Sequence, residues 1–257
     1  HSIREVSQEW DHESAEGEVR MTFRKETLAE GVELYLGDCL EVLPTLAGID
    51  AVVSDPPYGI GFQKGAGGKG IHPGRVRNLD PIKGDDRPFD PAPFLAWPCV
   101  LFGANHYYAR LPDGGTFHTW DKSRGVGPDD SFSDAEYVWT PDRRKSEVFR
   151  YLWKGVLQDG EKGAPKYHVS QKPIAVMEWA IGFAGDAAHI FDPFMGSGST
   201  GVAAVRLGRR FTGVEIDEGH FSTACRRIEA ALKQPDMFVA APQPIAQQTS
   251  MFSDKVA

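Results

Sequence analysis

The sequence is poor in cysteine and has no long apolar run. Its three cysteines, Cys39, Cys99 and Cys225, lie far apart and form no Cys-x-x-Cys pair. This argues against a disulfide framework or a zinc knuckle and predicts a reducing cytoplasm and no bound metal. No apolar stretch approaches the roughly 20 residues of a membrane helix, so no membrane partner is expected. The first residues, His1-Ser-Ile-Arg-Glu5, lack the apolar segment of a signal peptide; they also lack a methionine, and Met21 is a candidate natural start. Net positive charge is missing as well. The formal charge is −8, which taken as an average weighs against a nucleic-acid binder.

The average hides local patches. Residues 1–20 carry six acids (Glu5, Glu9, Asp11, Glu13, Glu16, Glu18) and two bases (Arg4, Arg20), and read as an acidic flexible arm. A glycine-rich loop follows residue 59. Its bases Lys64, Lys69, Arg75, Arg77, Lys83 and Arg87 outnumber Asp80, Asp85 and Asp86. A second basic cluster, Arg143, Arg144, Lys145, Arg150 and Lys154, interleaves with Tyr137, Trp139, Phe149, Tyr151 and Trp153. From residue 234 to 257 the chain is rich in Pro, Gln and Ala and reads as a disordered tail.

Between arm and tail, hydrophobic periodicity alternates strands and helices. Strands are expected at 32–38, 49–54, 100–103, 116–120, 188–191 and 210–216. Helices are expected after Cys39, over part of 91–104, and at 174–183, 199–207 and 219–233. Residues 121–165 have no clear period. The alternation predicts an α/β fold with a mostly parallel sheet, whose ligands sit at the carboxyl ends of the strands. With 41% hydrophobic and 25% charged residues over 257, one large globular domain is expected.

Two loops at such strand ends carry chemistry. The first is Asp192-Pro193-Phe194-Met195-Gly196-Ser197-Gly198-Ser199-Thr200-Gly201. Gly196, Gly198 and Gly201 form a Gly-x-Gly-x-x-Gly turn between strand and helix, where backbone approaches a ligand beside a helix N-terminus. Glu215, 19 residues beyond Gly196, ends the next strand, where a carboxylate accepts bonds from ribose hydroxyls. Alone, this loop suits a dinucleotide or another nucleoside cofactor, so a nicotinamide dehydrogenase stays open. The second loop is Asp55-Pro56-Pro57-Tyr58, after an apolar strand. Two prolines stiffen it and remove two amide donors. The Asp55 carboxylate and Pro56 carbonyl remain as acceptors suited to an NH2 group, and Tyr58 offers a flat face for a base. A plain proline-rich turn capped by Asp55 is the simpler alternative.

Together these loops resemble those of the amino-group DNA methyltransferases, which form N6-methyladenine or N4-methylcytosine. A third block, His168-Val-Ser-Gln-Lys172-Pro173, is similar to the family's cofactor-flanking motif, and Gly37-Asp38-Cys39-Leu40 to its adenine-contacting element. The catalytic tetrad precedes the glycine loop by 137 residues, the permuted order of the beta group. The resemblance covers about residues 32–232 and is thin from 60 to 165.

It implies a Rossmann-like S-adenosylmethionine-dependent methyltransferase fold of circularly permuted motif order. Residues 21–233 would be one catalytic domain, with an inserted loop or target-recognition region at about 60–165. Asp55, Pro56, Pro57 and Tyr58 would be catalytic. Asp38, Cys39, Asp55, His168, Lys172, Pro173, Asp192, Pro193, Phe194, Gly196, Ser197, Gly198, Ser199, Thr200 and Glu215 would line the cofactor site. Lys64, Lys69, Arg75, Arg77, Arg143, Arg144 and Lys145 would contact double-stranded DNA, and His106, His118 and Trp120 are either recognition residues or core. Asp55 as first tetrad residue favours adenine N6, with cytosine N4 as the alternative. A dimer is implied by the resemblance alone. Gln248-Thr-Ser-Met-Phe252 is similar to the short peptide that binds the bacterial sliding clamp. The setting implied is the bacterial nucleoid or a phage-infected cell.

Overall fold

The computed structural model describes residues 23–61, 83–125, 133–154, 157–160 and 171–234. The acidic arm, Lys64, Lys69, Arg75, Arg77, His168 and the clamp-like tail peptide lie outside the described residues.

Eleven strands and four α-helices are described: β1 (Arg24–Ala29), β2 (Val32–Leu36), α1 (Cys39–Val42), β3 (Ala51–Ser54), β4 (Cys99–Phe102), β5 (Thr116–Asp121), β6 (Ala135–Thr140), β7 (Val148–Arg150), β8 (Trp153–Lys154), β9 (Leu157–Gln158), α2 (Ile174–Gly182), β10 (His189–Asp192), α3 (Ser199–Arg206), β11 (Arg210–Glu215) and α4 (Glu218–Leu232). Nine strands form one sheet in the order β1-β2-β11-β10-β3-β4-β6-β5-β7, and β8 and β9 form a separate ribbon. The five strands β2, β11, β10, β3 and β4 pair in parallel. β6 joins β4 antiparallel and β5 joins β6 antiparallel.

The parallel strands are buried because they are covered on both faces. Val53, Val100, Ile190 and Phe211 pack with α2, α3 and α4 on one face. Val52, Leu101, Phe191 and Val214 pack with α1, Phe89, Phe94 and Tyr107 on the other. From β3 the chain winds one way to β4, and from β10 it winds the other way to β11. The carboxyl ends of β3 and β10 therefore flank a topological switch point, where open α/β sheets form a crevice.

The helix expected within 91–104 is a correction. A single 3-10 turn, Ala92–Phe94, precedes β4. Pro91, Pro93 and Pro98 explain it, since each lacks an amide donor and biases the residue before it away from helical dihedrals. The unpatterned 121–165 segment contributes β6 and β7 to the large sheet and the β8–β9 ribbon.

Candidate active site

Asp55 follows β3 directly, and Asp192 closes β10. The register Ile190↔Ala51 and Phe191↔Val52 brings these two strand ends level. Ser54 Oγ donates to Asp192 Oδ1 at 2.6 Å, tying one loop to the other. Asp192 also accepts from Thr200 Oγ1 at 2.5 Å and from the Phe194 amide at 3.0 Å. Burial raises its carboxyl to about 6, against these three donors. Asp192 and Thr200 thus brace the glycine loop from beneath.

The loop above them is shaped by two different demands. Gly196 has φ +53°, and a Cβ there would meet nothing within 4 Å, so its backbone borders open space. Gly198 (φ +84°) and Gly201 face α4, where added carbons would fall 2.9 Å from Ala224 Cβ and 2.4 Å from Ile228 Cδ1. The first glycine leaves room for a ligand, and the other two let helices pack close. Glu215, at the end of β11, accepts from the Gly196 amide at 2.9 Å and the Asp217 amide at 2.8 Å. Burial nonetheless pushes its carboxyl up. Each oxygen keeps a second lone pair for a hydroxyl donor.

Other cofactor-line candidates divide. Asp38 caps α1, accepting from the Leu40 amide at 2.8 Å, and Cys39 is buried with its thiol raised to about 12 by burial. The structure gives both a structural job at the carboxyl end of β2. Pro193 is buried. Phe194 packs edge-on against Phe89 and Phe94. Ser197 and Ser199 are buried and bonded by Arg227, whose Nη1 lies 2.6 Å from the Ser197 carbonyl and 2.9 Å from its Oγ.

The tetrad is held by a charged row. Asp55 Oδ1 accepts from the Tyr58 hydroxyl at 2.6 Å, and Oδ2 accepts from Lys172 Nζ at 2.5 Å. Lys172 precedes Pro173, the N-cap of α2, so the third sequence block is delivered onto the tetrad. Lys172 Nζ also lies 3.1 Å from Glu136 Oε2, and Glu136 Oε1 accepts from Lys122 Nζ at 2.7 Å. Burial pushes the Asp55 carboxyl up, and the Lys172 charge opposes that. Burial disfavours the Lys172 ammonium, yet the two carboxylates hold it above its ordinary value. Burial also opposes the Glu136 anion, but Lys172 and Lys122 bring its carboxyl down to about 2. The row reads as alternating charges, Lys122, Glu136, Lys172, Asp55.

Tyr58 stacks on His106 with ring centroids 5.0 Å apart and planes 14° from parallel. Gly103, at the end of β4 with φ +65°, lets that ring approach: a Cβ there would fall 2.0 Å from Tyr58 Cε1. Asp85 fixes the turn beyond the tetrad by accepting from the Gly59 and Ile60 amides at 2.8 and 3.2 Å. His118 and Trp120 are core: both are buried, and His118 stacks on Phe183. Arg143, Arg144 and Lys145 are exposed, but Arg144 is committed to Asp142 and the Phe183 carbonyl.

Glu136, Arg227 and Asp85 have no motif that marks them. Glu136 reaches the site because β6 runs antiparallel to β4, which sets its first residues beside Gly103.

Residues 122–226 match the family model of the N6/N4 DNA methylases. The matched segment includes the glycine loop, and the Asp55 tetrad lies before it. The Type II methyltransferase M2.DpnII of Streptococcus pneumoniae is 43% identical over 81 residues, which are 31% of this chain and 30% of that protein. The chain thus spans under a third of that relative in the aligned segment. YubD of Escherichia coli (strain K12), which carries a methylase name, is 26% identical over 224 residues, covering 76% of this chain and 88% of YubD. A crystal structure of an M1.HpyAVI–SAM complex has a TM-score of 0.48 and 21% identity, covering 76% of this chain and 97% of that one. The segment 122–226, under half of the chain, is thus similar to the N6/N4 DNA methylases, and the short M2.DpnII alignment points to the same family.

Proposed function

We propose that the protein is a DNA methyltransferase that uses S-adenosylmethionine to methylate an exocyclic amine, adenine N6, of a base flipped out of double-stranded DNA. One observation carries the reading: the Asp55–Tyr58 turn and the Gly196 loop end adjacent parallel strands and are bonded through Ser54 and Asp192. A nicotinamide enzyme would leave Asp55–Tyr58 without a role.

The residues fit the cofactor. The open space beside Gly196 admits a ligand against the backbone, and Glu215 keeps acceptors for ribose hydroxyls. Asp38 stands at the neighbouring strand end, as the family's adenine-contacting element does. When bound, S-adenosylmethionine supplies an electrophilic methyl group.

The chain's own residues prepare the nucleophile. An exocyclic amine is a poor one because its lone pair is delocalised into the ring. Asp55 and the Pro56 carbonyl, accepting its two N–H bonds, favour a pyramidal nitrogen whose lone pair is free. They also stabilise the positive charge that builds there. As the nitrogen takes the methyl, the sulfonium S–CH3 bond would break to leave the neutral thioether, and the nitrogen's extra proton would then pass to the Asp55 carboxylate, so Asp55 acts first as an acceptor. Tyr58 already stacks on a flat ring, that of His106, which supports its role under a flipped base. Such stacking contributes about 1–3 kcal/mol per base, and flipping is required because a paired amine cannot reach the pocket. Exposed Arg143 and Lys145 contribute phosphate contacts that carry no sequence information.

The test is transfer of a tritium-labelled methyl from S-adenosylmethionine to unmethylated plasmid DNA, followed by nucleoside chromatography. Label in N6-methyl-2′-deoxyadenosine supports the reading. Label in N4-methylcytosine keeps the mechanism and corrects the base. No label in DNA overturns it.

A further inference from the structure

Lys172 is the unexpected member of the site. Its ammonium donates to Asp55 Oδ2 while the Tyr58 hydroxyl takes Oδ1. Each Asp55 oxygen thus already accepts one hydrogen bond, so whichever receives the target N–H does so beside an existing donor. A cation on Asp55 also opposes a nitrogen that becomes positive as it is methylated.

A second acceptor stands ready for that cation. Glu136 Oε2 is buried, lies 3.1 Å from Nζ, and receives no aligned hydrogen bond. Its other oxygen is fixed by Lys122. The Lys172 chain is four carbons long, so a small terminal rotation passes Nζ from Asp55 to Glu136. Neither carboxylate need move.

We propose that Glu136 is a positioning residue that draws Lys172 off Asp55 when the target amine enters. The inference rests on the methyl-transfer reading above. Before entry, Lys172 keeps the buried Asp55 anion paired. On entry the amine replaces the ammonium as donor, and Glu136 keeps the displaced charge paired. No bond is broken apart from hydrogen bonds, and the lysine stays protonated throughout. The charged and titratable groups facing Asp55 are Lys172, Glu136, Tyr58, Tyr107 and Asp192.

Labelled-methyl transfer measured on wild type, Glu136→Gln, Lys172→Met and the double variant tests this. Glu136→Gln is close to isosteric. It is expected to lower kcat about tenfold, with the S-adenosylmethionine KM changed by less than about twofold. In the Lys172→Met background the same replacement is expected to change kcat by less than about threefold, because the residue acts through the lysine. The pH profile gives a second readout. Removing the Glu136 anion, and leaving Lys172 wholly on Asp55, both favour the Asp55 carboxylate, so the acid limb of kcat/KM moves to lower pH.

Lys172→Met leaves Asp55 and Glu136 as facing anions; if that variant does not fold, the pH profile of Glu136→Gln decides alone. Additive effects of the two replacements, or an unmoved acid limb, overturn the inference while the methyltransferase reading stands. A wild type that moves no methyl to DNA overturns both.

Discussion

The two halves of the large sheet are built differently and serve the site differently. In the parallel half, β2, β11, β10, β3 and β4 are covered on both faces, and the carboxyl ends of β2, β3 and β10 present short contiguous motifs. In the antiparallel half, β6 pairs antiparallel with β4 and β5, and β7 adds to β5 in parallel; these strands leave Phe117, Tyr137 and Val148 exposed and contribute single residues. Asp55, Asp192, Gly196 and Glu215 come from the first half. Glu136 and Lys122 come from the second. On the proposed reading the parallel half supplies the reacting geometry, while the antiparallel half supplies Glu136 and Lys122, which extend the ion-pair row from Lys172.

That contrast yields predictions of decreasing size. Asp55→Ala should reduce methyl transfer by about 10³-fold or more, since it removes a principal acceptor; the measurement is labelled-methyl transfer beside a thermal melt that checks the variant is folded. Asp192→Ala removes the acceptor for Ser54, Thr200 and the Phe194 amide. Leaving those buried donors unpaired should cost about 2–4 kcal/mol of stability, read by denaturant unfolding. Gly103→Ala forces a Cβ into the Tyr58 ring at a positive φ. It should lower kcat about 10- to 100-fold with S-adenosylmethionine affinity kept, because the displaced ring belongs to the base side of the site.

The antiparallel half has its own signature in pH. The Glu136 carboxyl lies at about 2 in the fold against an ordinary 4.5. It binds fewer protons folded than unfolded in that window, so its contribution is present above pH 4.5 and is lost as pH falls toward 2. Melts of wild type and Glu136→Gln between pH 3 and 6 should converge at the acid end. Parallel curves would contradict this. The smallest effect is expected on the open face of that half, where Tyr108 is 69% exposed: Tyr108→Ser should change stability by no more than about 0.5 kcal/mol.

The contrast also explains what the sequence made legible. The glycine loop and the Asp-Pro-Pro-Tyr turn are contiguous, and the apolar strands before them declare themselves by composition. Their meeting at one crevice follows from parallel α/β winding. Lys172 was legible as part of a block, but its place on Asp55 depends on where α2 begins. Glu136 was not legible, because its role depends on the antiparallel landing of β6 beside Gly103, a pairing of strands well separated in sequence. The 91–104 segment was misread because an apolar period outweighed three prolines. Residues 143–145 read as a basic patch, although Arg144 is engaged with Asp142 and the Phe183 carbonyl.

The central claim is that the two loops form one methyl-transfer site. Modification-sensitive long-read sequencing tests it most directly, on a plasmid recovered from methylation-free cells expressing wild type or Asp55→Ala. The account predicts N6-methyladenine at a defined sequence with the wild type and none with Asp55→Ala. A folded wild-type protein that leaves the plasmid unmarked, or marks that persist in Asp55→Ala, would contradict it.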